Sequence, residues 1–195
     1  GSITKKIHTV QGDHFGNAAL DSSFSSWSLT VMDWLTTIIC DLEEARLDAT
    51  DVRSLLNIAQ VHQKLLDEIT QPRLLHGDLW TVNVLVTRSE EGPRIVAVLD
   101  SDRTSWGDPM ADWTVFLLHR NAGTEADAFW ETYGQPEKRR EAQLRMLIYQ
   151  GRYIGGARLE HHRLHHHEAV KRSYQDMQTI MEGLRSFSTN KIPQQ

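Results

Sequence analysis

The sequence has 195 residues, the length of one domain, and a compact chain of that size buries roughly 70% of the surface its unfolded form exposes. Apolar residues make up 39% and charged residues 24%, which excludes a collagen, a disordered tail and a coiled-coil rod. The net charge of −5, from 26 acids against 21 bases, argues against a nucleic-acid partner and permits a cationic small substrate. No apolar run is long enough for a membrane-spanning helix, so no membrane partner is expected.

The single cysteine, Cys40, excludes an internal disulfide and a cysteine-based zinc site. It suits a reducing compartment, read here as cytoplasmic. Its place in a hydrophobic helix predicts a buried, inert thiol.

In chain order, Gly1-Ser2 reads as a remnant of expression. Residues 3–8 then start in mid-helix without a cap. Residues 11–26 are rich in Gly, Ser, Asp and Asn and read as a loop. From 27 to 46 the spacing of Val31, Trp34, Leu35, Ile38, Ile39 and Leu42 is one helical face. Thr50 or Asp51 can cap a second helix with the face Val52, Leu55, Leu56, Ala59, Leu65, Leu66 and Ile69, ending near Pro72.

The periodicity then changes. Val82 to Thr87 and Arg94 to Leu99 are rich in β-branched residues and flank Ser89-Glu90-Glu91-Gly92-Pro93, which predicts a hairpin with a medium-length loop. From Ala111 the chain reads helical to about Phe187. Gly123, Gly134 with Pro136, and Gly155-Gly156 are the expected interruptions. Residues 188–195 are expected to form a frayed tail.

The stretch that carries chemistry is 74–112. It contains Leu74-Leu75-His76-Gly77-Asp78-Leu79-Trp80-Thr81-Val82-Asn83, then Val98-Leu99-Asp100-Ser101-Asp102, then Gly107-Asp108-Pro109-Met110-Ala111-Asp112-Trp113. Asp78 and Asn83 sit in a loop entering a strand, and Asp100 follows the partner strand. The hairpin can return Asp100 to that loop, so three oxygen-bearing side chains converge. Mg²⁺ binds one or two carboxylates together with substrate phosphates. A further carboxylate stays available to take a proton from a hydroxyl. Catalytic Asp, Asn five residues on and a second metal-binding Asp form the phosphoryl-transfer template.

These residues carry a resemblance. His76-Gly77-Asp78-x-x-x-x-Asn83, Asp100 and Gly107-Asp108-Pro109-x-x-Asp112 resemble the aminoglycoside phosphotransferase family of small-molecule kinases. Gly77 stands where the protein-kinase signature has arginine, and Trp80 stands where that signature places a lysine. Both departures favour a small-molecule kinase. Leu79-Trp80 is similar to fructosamine kinases, which keeps that subgroup open.

The resemblance implies a mainly α fold with a small β-hairpin, the C-terminal lobe of the protein-kinase-like (aminoglycoside phosphotransferase) fold. It implies a truncated first helix and loop over 1–26, the lobe over 27–187 and the tail over 188–195. Asp78 would be the catalytic base. Asn83 and Asp100 would hold Mg²⁺ on the phosphates of ATP or GTP. His76, Asp108 and Asp112 would support the catalytic loop. Asp102, Glu125, Asp127 and Glu131 are candidates for contact with a cationic acceptor, set against a solvated charged face for the last three. The partners would be the nucleoside triphosphate and a small-molecule acceptor such as an aminoglycoside. The implied role is antibiotic resistance.

No Gly-rich phosphate loop or nucleotide-binding lysine strand occurs in the sequence. An isolated lobe acting as a binding module is therefore the reading from outside enzymology.

Other features favour plainer readings. His161, His162, His165, His166 and His167 are expected on one helix, with i, i+4 pairs suited to adventitious nickel or zinc. A solvated face is the favoured reading. Trp106, Trp113 and Trp130 could form an aromatic substrate wall, but core packing is expected. His62 and His119 are read as structural.

Overall fold

The computed structural model describes residues 1–18, 23–90, 92–118, 120 and 123–189, with backbone alone at 115, 116, 188 and 189. The chain begins with α1 (Ser2–Ile7), β1 (Phe15–Asn17) and β2 (Ser23–Phe24), followed by α2 (Trp27–Glu44), α3 (Thr50–Val61) and α4 (Gln63–Leu66). Next come β3 (Arg73–Leu75), a 3₁₀ turn (Thr81–Asn83), β4 (Val84–Ser89), β5 (Gly92–Val98) and β6 (Ser105–Gly107). It closes with α5 (Pro109–Leu117), α6 (Glu125–Tyr133), α7 (Arg140–Arg163) and α8 (His167–Thr189). The fold is mainly helical, as expected. The expected tail falls at its end, at residues 190–195, outside the described residues, as does His119. No helix among the described residues is long and apolar enough to cross a membrane.

The chain divides into two units, Gly1–Trp27 with Ile69–Pro136, and Ser28–Glu68 with Glu137–Gln195. In the first unit the hairpin is present: β4 pairs antiparallel with β5 from Val84↔Val98 to Ser89↔Gly92. It is tighter than expected, because Ser89 and Gly92 are themselves paired.

The loop reading of 11–26 is corrected. A second sheet, ordered β2-β1-β6-β3, takes β1 and β2 from that segment, and Gln11 bridges to Arg73. Strands of two or three residues are too short to show alternation. Their partners, such as Trp106 opposite both Gly16 and Leu74, lie far away in sequence. The ring of Trp27 packs against Gly107, where a Cβ would meet ring carbon at 2.1 Å. No larger residue fits that strand.

The second unit is helical. Val31, Leu35, Ile39 and Leu42 of α2, and Val52, Leu55 and Ala59 of α3, are buried as their spacing predicts. Each fully buried branched side chain contributes about 1.5–3 kcal/mol. Cys40 is exposed, against expectation, because position 40 falls off the 31/35/39/42 stripe. The second helix breaks at His62, so it is two helices. Its N-cap is Ala49 rather than Thr50 or Asp51, although Asp51 Oδ1 accepts the Val52 N–H at 2.7 Å. Asp48 Oδ1 accepts from the Thr50 N–H at 2.9 Å and from its hydroxyl at 2.6 Å.

Helices α7 and α8 form an antiparallel hairpin. Arg140, at the start of α7, donates to the Phe187 carbonyl near the end of α8, while Arg158 reaches Ser173 near its beginning. Gly155-Gly156 does not interrupt α7. A Cβ at Gly155 would meet Ile38 and Val52 at 3.2 Å, so this glycine serves close packing. The break comes at the histidines instead. His165 is left-handed at φ 57°, the His166 N–H reaches back to the His161 carbonyl and the His165 N–H to the His162 carbonyl. This is a Schellman turn. His165 and His166 thus lie past the helix end, and the expected i, i+4 imidazole pairs do not form on one face. Among the described residues no group of three or more His, Cys, Asp or Glu could hold a metal ion.

Candidate active site

The site is built in the first unit where β3 runs into residues 76–83 and β5 into 99–104. Gly77 makes the turn possible. Its φ is +82°, and a Cβ there would sit 2.4 Å from the Arg103 carbonyl oxygen. Positive φ and close backbone approach both demand glycine.

His76 is buried and ties the two segments together. Its Nε2 donates to the Leu99 carbonyl at 3.0 Å. In that tautomer Nδ1 is an acceptor, and it takes the Asp78 N–H at 3.3 Å. Asn83 is also buried. Its Nδ2 donates to the Asp78 carbonyl at 2.8 Å and to the Asp78 carboxylate at 3.2 Å. With Nδ2 so committed, Oδ1 is the atom Asn83 can offer a cation. The Leu99 N–H reaches the Asn83 carbonyl at 2.9 Å, which sets Asp100 at the end of the hairpin that Asn83 begins.

Asp100 is exposed and left-handed, at φ 62°. Its carboxyl is held above the ordinary carboxylate range by a hydrogen bond with Asp102 and that group's charge, then by partial desolvation and the charge of Asp78; Arg103 opposes this. Three acids crowd one another without a neutralising partner strong enough to cancel the effect. Asn83 Oδ1 and the Asp100 carboxylate are oxygen donors, the chemistry that Mg²⁺ takes when substrate phosphates supply its other ligands.

Asp108 and Asp112 sit behind the loop. Asp108 caps α5 by accepting the Met110 N–H at 3.0 Å, with Pro109 in the first turn. Asp112 is buried and accepts from two loop amides, His76 N–H at 3.0 Å and Gly77 N–H at 2.8 Å. It also receives His8 Nε2 at 2.9 Å, and His8 Nδ1 meets the Tyr133 hydroxyl at 2.8 Å. The sequence reading missed His8 and Tyr133, for no spacing links residues 104 positions apart.

Of the acceptor candidates, Asp102 lies beside Asp100. Glu125 and Asp127 belong to the first turn of α6: Asp127 accepts the Gly123 N–H at 2.7 Å and Glu125 pairs with Arg120 at 3.7 Å. Glu131 is exposed. Trp113 is buried and packs edge-on against Trp130 at 4.9 Å, which is core packing rather than a wall. Trp106 is half-buried against Gly12. A cavity of about 140 Å³ lies under the loop, lined by Ile3, Leu79, Trp113 and Phe129 among others. It is smaller than the roughly 300–1,000 Å³ of ligand pockets.

The model of the phosphotransferase enzyme family (APH) matches residues 1–147, three-quarters of the sequence and all the motif residues above. The chain belongs to the phosphotransferase enzyme family. No curated protein matches it.

Solved structures share the fold at low identity. One, described as a fructosamine-3-kinase from Haemophilus somnus 129PT, has 19% identity and a TM-score of 0.59, with 91% of this chain and 60% of that chain covered. A thermostable mutant of aminoglycoside phosphotransferase APH(4)-Ia, in ternary complex with AMP-PNP and hygromycin B, has 18% identity and a TM-score of 0.58, covering 92% and 61%. The chain thus spans about 60% of the length of these two.

Proposed function

We propose that this family member is the catalytic-loop lobe of an ATP- or GTP- and Mg²⁺-dependent kinase that phosphorylates a hydroxyl of a small cationic molecule of the aminoglycoside type. The observation that carries the reading is Asn83 binding both the carbonyl and the carboxylate of Asp78, with Asp100 returned to the same loop.

In this reading Asp78 orients the acceptor hydroxyl and takes its proton. The freed oxygen bonds to the γ-phosphorus as the bond from that phosphorus to the bridging oxygen breaks, leaving the nucleoside diphosphate. Asn83 Oδ1 and Asp100 would hold Mg²⁺, which neutralises phosphate charge when bound. His76, Asp108 and Asp112 keep the loop in place. The net negative charge and Asp102 suit a cationic acceptor.

A fructosamine-type acceptor is the second reading, favoured by Leu79-Trp80 in the loop and by the fold shared with the Haemophilus protein.

The test is transfer of labelled γ-phosphate across aminoglycosides and amino sugars. Asp78→Ala should lose transfer by about 10²–10⁴-fold while circular dichroism stays unchanged. Turnover that persists in that variant refutes the assignment. A folded chain that transfers to no acceptor would instead support a binding module.

A further inference from the structure

The chain of contacts behind the catalytic loop does not stop at Asp112. A carboxylate only accepts hydrogen bonds, so His8 donates from Nε2. On the other side of the ring, His8 Nδ1 and the Tyr133 hydroxyl are hydrogen-bonded at 2.8 Å. The rings stand edge to face, 5.6 Å apart at 84°. Burial first, then the charges of Asp108 and Asp112, push the Tyr133 hydroxyl up to about 12; a hydrogen bond with the Trp113 side chain pulls the other way. Tyr133 therefore keeps its proton. Its ring is stacked on Phe129 at 5.1 Å, so its position is set by the face of α6. The contacts run from the Tyr133 hydroxyl to the His8 ring, from His8 Nε2–H to Asp112, and from the His76 and Gly77 amides to the same carboxylate.

Asp112 has two oxygens for three donors. Oδ2 is shared by His8 and His76, while Oδ1 takes Gly77. The His8 ring thus sets the tilt of the carboxylate that holds the two residues immediately before Asp78. We propose that His8 and Tyr133 are positioning residues for the transfer reaction, aligning Asp78 through Asp112 from the C-terminal ends of α1 and α6. This rests on the phosphotransferase reading. Neither residue touches the reacting atoms.

The alignment predicts a split between turnover and binding. A displacement near 1 Å costs about 10²-fold in rate, so His8→Leu should lower kcat by roughly 10–100-fold with KM for both substrates within about twofold. His8→Gln restores an N–H donor toward Asp112 and should recover kcat to within about threefold of the unaltered chain. Tyr133→Phe, which removes one oxygen, should cost about three- to tenfold.

A second readout needs no activity. Amide hydrogen exchange on the 195-residue chain should show His76 and Gly77 exchanging about tenfold faster in His8→Leu, with the paired amides of β6 unchanged and His8→Gln restored. Uniform loss of protection across the unit, an unchanged Gly77 amide, or failure of His8→Gln to restore either readout would overturn the proposal. If the unaltered chain transfers phosphate to nothing, the phosphotransferase reading falls, and the exchange pattern alone decides whether the relay positions the loop.

Discussion

The Nε2 of His76 donates to the Leu99 carbonyl across 3.0 Å while its Nδ1 accepts the Asp78 N–H. One imidazole therefore couples the segment before Asp100 to the residue that bears the proposed base. His76→Ala should remove the part-buried hydrogen bonds to the Leu99 carbonyl and from the Asp78 amide, at a cost of about 0.5–1.5 kcal/mol each. Transfer should fall further than that loss of stability explains. Urea unfolding measured beside kcat separates the two effects, and equal activity in the folded variant would remove the coupling.

Gly77→Ala should be among the most damaging single-methyl changes in the chain. The added Cβ meets the Arg103 carbonyl at 2.4 Å, and φ of +82° is costly for alanine. Backbone strain alone is about 1–2 kcal/mol, and the clash adds to it. Unfolding free energy from urea titration should drop by more than about 2 kcal/mol. A smaller drop would mean the 103 segment yields easily.

Much of this site was legible because its residues sit close together in the sequence. Asp78, Asn83 and Asp100 are joined by one hairpin, which β-branched content located, and period-3.6 patterns located the longer helices. What escaped were pairings without a local signal. His8 finds Asp112 only after folding. The short strands around Gly16 and Trp106 exist through their partners. The helix end at His165 was hidden because histidine occupies a left-handed position usually given to glycine.

That last feature is testable. His165 pays for φ 57° with a side chain, whereas glycine adopts that conformation freely. His165→Gly should raise stability by about 0.5–1 kcal/mol, read from the urea midpoint. A loss would show that the imidazole makes contacts worth more than the strain it bears.

Asp100 links stability to pH and to divalent cations. Its carboxyl sits above the ordinary range because Asp102 and then Asp78 disfavour its charge. A carboxyl raised in the folded state favours folding below its unfolded value, and that advantage is lost as pH rises through the folded value. At neutral pH without divalent cations, Asp100→Asn should therefore match or exceed the unaltered chain in Tm. The difference should vanish as pH falls to about 4, where carboxyls protonate. Millimolar Mg²⁺ should raise the Tm of the unaltered chain and not that of Asp100→Asn. An equal response in both would place the cation elsewhere.

The helical unit makes the opposite use of charge. Arg158 is fully buried, and each of its guanidinium nitrogens has a hydrogen-bond partner. Two nitrogens reach the Asp51 carboxylate at 3.0 and 2.6 Å, Nη1 also meets the Asp48 carbonyl at 3.1 Å, and Nε donates to Ser173 at 3.0 Å. The plane stacks on Tyr174 at 3.6 Å. Lysine cannot reproduce a planar fork. Arg158→Lys should therefore destabilise nearly as much as Asp51→Ala, each by about 3–5 kcal/mol, the range for breaking a buried pair. A double-mutant cycle with Asp51→Ala and Arg158→Met tests this by denaturant unfolding. The double variant should be less damaged than the sum of the two singles, because removing both partners leaves no buried charge unpaired. Strict additivity would mean that Arg158 is held by Ser173, Asp48 and Tyr174 rather than by its ion pair.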